Sequence, residues 1–483
     1  MADLKSLAKD TAIYGLSSIV GRFLNYLLVP LYTAKLAAAS GGYGVITEVY
    51  SYTALLLVLL TFGMETTFFR FINKEGEDPR RVYSTTLIAV GSVALVFVAL
   101  ILLFLKPVAG FLDYADHPEY ISMMAVCVAL DAFQSIPFAY LRHQRRPIKF
   151  AALKLLFIFA NILLNVVFFV VLDLRDVFYA FAANLFCTAV ITVFFYPELT
   201  GFRWVLDRHL LRRMLAYSWP ILVLGIAGIL NQTADKMIFP RLVEGQEGKV
   251  QLGIYGASVK IAMIMAMITQ AFRYAYEPFV FSGQKGKDKD NRQTYARAMK
   301  FFIIFTLLAF LVVIGYLDVL KYIIAPGYWE GLKVVPIVMA AEIMMGVYFN
   351  LSFWYKLIDR TIWGAWFSGA GCLVLIAVNV IFIPQYGYMA CAWAGVAGYG
   401  TAMLLSYFVG QRHYPIAYPL KSIAVYVLIA ALFYAVMTLT PREWPLVVRL
   451  GINTACIALF VGHVLYPDLP LRELPVVGKY FRK

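Results

Sequence analysis

The chain has 483 residues, of which 62% are hydrophobic, 16% aromatic and only 14% charged, with a mean hydropathy of +0.75. Soluble proteins carry about 25% charged residues, and so few charges cannot clothe a water-facing surface of this size. These totals exclude a cytosolic enzyme, a secreted disulfide scaffold and a disordered regulator. The formal charge of +14 would suggest nucleic acid in a soluble chain. Here the cations sit in short loops between apolar runs, so they report topology and lipid contact instead.

A spanning helix needs about 20 mostly apolar residues, and about fourteen such segments recur along the chain. In order they are 11–35, 43–69, 82–105, 119–141, 148–172, 177–196, 214–242, 253–281, 296–320, 334–355, 362–383, 390–409, 423–438 and 446–465. The expected fold class is therefore an all-α polytopic membrane protein. Residues 1–18 carry no small-residue cleavage site after a short apolar core, so they read as an uncleaved first segment with a short cytoplasmic lead. Alternate loops differ sharply in Lys and Arg: one set holds 28 of the 42, the opposite set 8. By the positive-inside rule both termini are expected in the cytoplasm, which requires an even number of spans.

An internal repeat is visible. Adding 212 to the residue number carries Tyr43-Gly44 onto Tyr255-Gly256, Ala54 onto Ala266, Glu65 onto Glu277 and Phe69 onto Phe281, while Glu48 falls on Lys260. The mapped pieces are segments two and eight, an even offset, so the halves are expected to be parallel repeats. The expected organisation is a six-helix bundle over 1–200, a second over 201–411, and two additional helices with a cytoplasmic tail over 412–483, the bundles flanking a central cavity.

Charged residues inside a span cost several kcal/mol each and face a partner or a wet cavity, so they are the sites to weigh. Six cations fall in or at the edges of apolar segments: Arg22, Lys154, Lys236, Lys260, Arg273 and Arg449. Ser18, Arg22 and Asn25 share one face of the first segment. Asn231 with Asp235 and Gln232 with Lys236 are i,i+4 pairs in the seventh. Gln270, Arg273, Tyr274 and Glu277 make one stripe in the eighth. Glu342, Gly346 and Asn350 step by four in the tenth. Asp131 with Gln134 and Ser135 lies in the fourth, and Lys154 with Asn161 and Asn165 in the fifth.

Bland readings stand beside these. Arg273 and Glu277 are spaced to neutralise one another, and Asp235 and Lys236 can do so with neighbouring helices. Lys154 is expected to snorkel to the cytoplasmic surface, and Glu48 and Lys260 to be half desolvated near the outer interface. Arg22 has no acidic residue nearby in sequence, and both a helix partner and a transported anion remain open for it. The cations of segments one, seven and eight together suit an anionic head group such as a diphosphate. The candidate head-group residues are Arg22, Asn25, Lys236, Lys260 and Arg273, and the candidates for ion coupling or gating are Glu65, Asp235, Glu277 and Glu342. The coupling ion would be H+ or Na+, and no cofactor is expected. Pro30, Pro137, Pro220, Pro240, Pro278 and Pro336 lie in spans or at their ends, where each frees a carbonyl and permits a bend, with plain helix termination equally open for Pro240 and Pro336.

Nothing in the sequence resembles catalysis. There is no GxxxxGK[ST] loop, and the five histidines are scattered, which argues against a metal centre or an acid–base pair. The five cysteines lie in apolar stretches without paired spacing and read as small core hydrophobes.

The span count, the two halves and the local text resemble the multidrug/oligosaccharidyl-lipid/polysaccharide exporter superfamily, and within it the polysaccharide-transporter, or oligosaccharide flippase, branch. The text that carries the likeness begins with Lys9-Asp10-Thr11-Ala12-Ile13-Tyr14-Gly15-Leu16-Ser17-Ser18 and Leu28-Val29-Pro30-Leu31-Tyr32. It continues with Tyr43-Gly44-Val45, with Tyr140-Leu141-Arg142 followed by Pro147, with Asn231-Gln232-Thr233-Ala234-Asp235-Lys236, and with Gly253-Ile254-Tyr255-Gly256. The resemblance implies a V-shaped cavity that alternates between faces. It implies a cargo of undecaprenyl-diphosphate-linked oligosaccharide feeding O-antigen, capsule or exopolysaccharide assembly at a bacterial inner membrane. The implied partners are membrane lipids, a polysaccharide polymerase and glycosyltransferases, with no nucleic acid. Arg22 and Arg273 are placed similarly to lumenal arginines of the lipid II flippase branch, which carries more arginines in its first two helices than this chain. The alternatives to an oligosaccharide flippase are a cation-coupled multidrug or metabolite antiporter, a lipid II flippase, and a non-transporting scaffold for glycan enzymes.

Overall fold

In a hydrocarbon medium every backbone N–H and C=O must be paired, and a single segment achieves that only as a helix. The computed structural model describes residues 26–200, 203–282, 288–358 and 360–465, with the side chains of 274, 275, 277–282, 288–291 and 465 outside the description. Among the described residues there is helix and no strand. In chain order the helices are α1 (Leu28–Lys35), α2 (Gly42–Thr61), α3 (Met64–Ile72), α4 (Pro79–Leu103), α5 (Leu105–Phe111), α6 (Pro118–His143), α7 (Pro147–Val166), α8 (Val177–Phe194) and α9 (Tyr196–Leu199). They continue as α10 (Arg208–Leu242), α11 (Gly245–Ser282), α12 (Asp288–Gly315), α13 (Leu317–Leu320), α14 (Val335–Leu351), α15 (Phe353–Leu357), α16 (Ile362–Tyr386), α17 (Tyr388–His413), α18 (Leu420–Leu439) and α19 (Leu446–Leu465).

Thirteen helical stretches among the described residues are long and apolar enough to cross a membrane. Each overlaps one of the expected spans two to fourteen, so the chain is a multi-pass all-α membrane protein. Of the first expected span residues 26–35 are described, including α1; Ser18, Arg22 and Asn25 lie outside the described residues. The helices run past the apolar segments where polar sequence continues the turn. α11 begins at Gly245 rather than 253, adding Gln246, Glu247, Lys249 and Gln251. α10 begins at Arg208 because Asp207 caps it, accepting the backbone N–H groups of His209 (2.9 Å) and Leu210 (3.1 Å). Those N–H groups, Leu210's first, and the nearby Arg81 guanidinium hold the Asp207 carboxyl below the usual carboxylate range.

The second expected span differs from a single helix. Phe62 (φ 50°) and Gly63 (φ 68°) both adopt the left-handed conformation and end α2 before α3 starts at Met64. A glycine tolerates that geometry, and phenylalanine adopts it only under the constraint of its surroundings. Of the expected proline bends, Pro137 lies inside α6, and Pro220 and Pro240 inside α10. Pro336 sits in the first turn of α14, where proline is accommodated without a bend.

The chain divides into two compact units, one comprising the residues up to Ala257 with Cys372–Ala394, the other Ser258–Gly371 with the chain from Gly395 on. In the first, the largest buried cluster joins Met64, Phe68 and Phe71 of α3 to Val82, Tyr83 and Leu87 of α4, Val128, Ala132 and Ile136 of α6, and Leu210 and Met214 of α10. In the second, Met299, Phe302 and Leu307 of α12 pack with Tyr426 and Ala430 of α18 and Cys456 and Phe460 of α19.

Gly44, the first-half glycine of the sequence repeat, and Gly253 have a packing reason inside the first unit. A Cβ on Gly44 would stand 1.9 Å from the Lys249 carbonyl oxygen, and one on Gly253 would stand 3.0 Å from the Gly44 nitrogen. α2 and the start of α11 therefore cross backbone to backbone, which only hydrogen at these positions permits. Gly44→Ala is expected to cost about 2 kcal/mol, the usual penalty for overpacking, read as a lower thermal unfolding midpoint of the purified protein. Gly110→Ala on α5, with nothing within 4 Å of the added methyl, serves as the neutral control.

Candidate functional site

The Asn231–Lys236 stretch of α10 supplies the first part of the site. Asp235 is 7% exposed. Its carboxylate accepts the Tyr255 hydroxyl of α11 at 2.7 Å and pairs with its own neighbour, Lys236, at 3.0 and 3.1 Å. The Lys236 ammonium also donates to the Gln232 carbonyl one turn back, at 2.8 Å, and lies 5.7 Å from the Tyr255 ring. The expected i,i+4 relation of Gln232 and Lys236 is thus real but runs through backbone. Lys236 is a neutralised cation rather than a surplus one. Four residues on, Pro240 lacks the N–H that the Lys236 carbonyl would otherwise accept, so this turn is held by one hydrogen bond fewer.

The α2–α3 break positions the second part. Glu65 stands in the first turn of α3, where the helix dipole favours a carboxylate, and the Arg142 guanidinium of α6 pairs with it. The same guanidinium stacks on the Phe69 ring, 4.8 Å from its centroid. Arg142, placed among loop cations by the span boundaries, is therefore part of a charge pair on a helix.

Near the start of α2, Glu48 is 1% exposed and accepts the Tyr114 hydroxyl at 2.6 Å. It is fully buried, not half desolvated, because α2 buries this face against the Tyr114 loop and the start of α11. Burial first and the Glu48 charge next raise the Tyr114 hydroxyl above its ordinary range, so it stays a neutral donor. Lys249 of α11 completes the cluster, pairing with Asp113 at 3.3 Å.

In the second unit the half-buried Arg273 lays its guanidinium over the Phe349 ring of α14, 4.3 Å from the centroid. Lys260 and Glu342 are half-buried on α11 and α14 of the same unit. Glu277 falls on α11 with its side chain outside the described residues, as do Arg22 and Asn25 entirely, so Arg273 and Glu277 are not brought together on described atoms. The sixth in-span cation, Arg449, pairs with Asp318.

Lys154 does not snorkel. Its ammonium rests on the Phe138 ring of α6, 4.0 Å from the centroid, and feels the Asp131 charge of the same helix without forming an ion pair with it. Asp131 was visible as an in-span carboxylate, but its counter-charge lies on the next helix, where no i,i+4 spacing could reveal it. Lys236 and Arg449 are thus each paired with a carboxylate, Asp235 and Asp318, so the positive surplus is smaller than composition implies.

All five cysteines are buried and free, and among the described residues no group of His, Cys, Asp and Glu could hold a metal ion.

Buried ion pairs and a broken helix thus recur within the membrane spans, where charged groups cost several kcal/mol unless they are paired. A family described as polysaccharide biosynthesis protein matches residues 7–278, and the chain belongs to it. No curated protein matches the chain by sequence. Among solved structures, the lipid II flippase MurJ in an inward closed conformation superposes with a TM-score of 0.75 at 13% identity, covering 95% of this chain and 99% of that one. An inward-facing multidrug resistance MATE family transporter of the MOP superfamily gives 0.65 at 14% identity, covering 83% and 94%. The MATE multidrug transporter DinF-BH gives 0.60 at 14%, covering 84% and 96%. At these identities the likeness is one of fold.

Proposed function

We propose that the chain is a flippase that moves an undecaprenyl-diphosphate-linked oligosaccharide, a repeat unit of O-antigen, capsule or exopolysaccharide, across a bacterial inner membrane by alternating access. Membership in a polysaccharide biosynthesis family by a chain built of membrane spans is the observation that carries this reading. Polysaccharide precursors are made on one side of a membrane and used on the other, and a protein with a transporter's fold is suited to carry them. The proposed head-group residues are Arg22, Asn25, Lys236, Lys260 and Arg273, with Glu65, Asp235, Glu277 and Glu342 as coupling or gating groups. Guanidinium and ammonium groups recognise a diphosphate by charge-assisted hydrogen bonds. In this reading both termini lie in the cytoplasm, glycosyltransferases supply the cargo and a polymerase consumes it.

Cells lacking the chain are expected to accumulate the lipid-linked oligosaccharide on the inner leaflet and lose its outer-leaflet delivery, scored by a membrane-impermeant glycan label. Unchanged delivery overturns the reading. Unchanged delivery together with new sensitivity to cationic dyes identifies a cation-coupled antiporter instead.

A further inference from the structure

A partly open cavity of about 220 Å³, mostly apolar but with a polar patch in its wall, lies inside the first unit, where α2, α6 and α8 meet. Tyr50 and Thr53 of α2, Asp131 and Cys127 of α6, and Asn184 of α8 face it among apolar neighbours. That volume holds several water molecules, and water enters a buried space only when polar groups line it. Asn184 donates its amide to the Tyr50 oxygen at 2.9 Å, which leaves the Tyr50 O–H free to donate in turn. Neither that O–H nor the Asp131 carboxylate is hydrogen-bonded to any described residue, and Asp131 makes no ion pair within 4 Å. A donor and an acceptor that share a cavity without touching are matched to a bridging water.

We infer that Asp131 is a proton-binding site, loaded through water in this cavity and balanced by the Lys154 ammonium of α7. The inference deepens the transport reading, on which its use rests, by naming the coupling ion. The step is a simple acid–base exchange. A proton from water forms an O–H bond with one Asp131 carboxylate oxygen, the acid becomes neutral, and Lys154 is left as an uncompensated cation; release reverses each change. A charge imbalance inside a membrane lobe costs enough to favour a different packing of the helices that carry it. The charged and titratable groups around Asp131 are Lys154 on α7, Tyr50 on α2 and Cys127 on its own helix. Beyond them stand Cys187 on α8 and the Glu65–Arg142 pair, which faces Lys154. The ligand is a proton rather than a metal ion because the resident ammonium already cancels the one negative charge that a sodium ion would need.

The test is infrared difference spectroscopy of the full chain in lipid nanodiscs, following the carbonyl stretch of a protonated carboxylic acid as pH is changed. The wild-type spectrum is expected to contain one component of that band that is lost in Asp131→Asn and displaced to a different pH range in Lys154→Met, the other carboxyl groups of the chain being common to all variants. Should Asp131→Asn fail to fold, Tyr50→Phe serves: it keeps the carboxyl, removes the hydroxyl facing it, and is expected to change the band frequency. A band that survives Asp131→Asn, or that ignores both Lys154→Met and Tyr50→Phe, overturns the assignment. Sodium replacing potassium is expected to leave the titration in place, and stoichiometric displacement of the proton by sodium overturns it. No cargo enters this measurement. A missing band removes the proton site and leaves the flippase reading standing, whereas normal glycan delivery in cells lacking the chain removes the flippase reading and leaves the band intact.

Discussion

Lys236→Ala is expected to lower stability by about 3 kcal/mol, because it strands the Asp235 carboxylate in a buried position with the Tyr255 hydroxyl as its remaining partner. The double variant Lys236→Ala/Asp235→Asn removes both charges and is expected to recover most of that loss, since a neutral amide still accepts from Tyr255. Thermal unfolding of the purified proteins reads both. The pair of variants also separates a counter-ion from a ligand. If the ammonium contacts a diphosphate, outer-leaflet glycan delivery stays depressed tenfold or more in the stable double variant. Delivery that returns along with stability makes Lys236 a structural counter-ion only.

Arg273→Ala has the opposite profile. The loss of the stacking on Phe349 is expected to contribute about 1 kcal/mol to the change in stability. Delivery of the lipid-linked oligosaccharide is expected to fall at least tenfold, about 1.4 kcal/mol of lost head-group interaction. Arg273→Lys keeps the charge but not the planar fork, and is expected to fall between the two. Normal export by Arg273→Ala at normal expression takes Arg273 out of the head-group site.

The spans were legible because hydropathy and length decide the matter in a bilayer: segments two to fourteen each coincide with a helix. The residues that end those helices were less legible. The start of α11 at Gly245 depends on polar residues that hydropathy ignores, and the break at Phe62 was masked because a phenylalanine in the left-handed region leaves no mark in composition. For the candidate site, local pairs were readable and distant ones were not. Asp235 beside Lys236, and Gln232 one turn earlier, follow from helical spacing. Arg142 meeting Glu65 across 77 positions, Tyr114 meeting Glu48, and Lys154 turning toward Asp131 depend on which helices pack together, and a single sequence does not encode that in any short pattern. The repeat was read as a sign of two parallel halves, whereas Gly44 itself marks a close crossing with Lys249 and Gly253 whose contacts are backbone to backbone.

The interruption between α2 and α3 carries a mechanical consequence. Phe62 closes the upstream ladder on the Val58 carbonyl, and Thr67 opens the downstream one on Gly63, so no continuous rod transmits bending or rotation through this crossing. Glu48 rides on one lever, with the Tyr114 loop. Glu65 rides on another, clasped to α6 by Arg142. What a hydropathy plot counts as a single pass is two helical arms meeting at a joint, which set their carboxylates in separate surroundings, Glu48 beside Tyr114 and Glu65 beside Arg142.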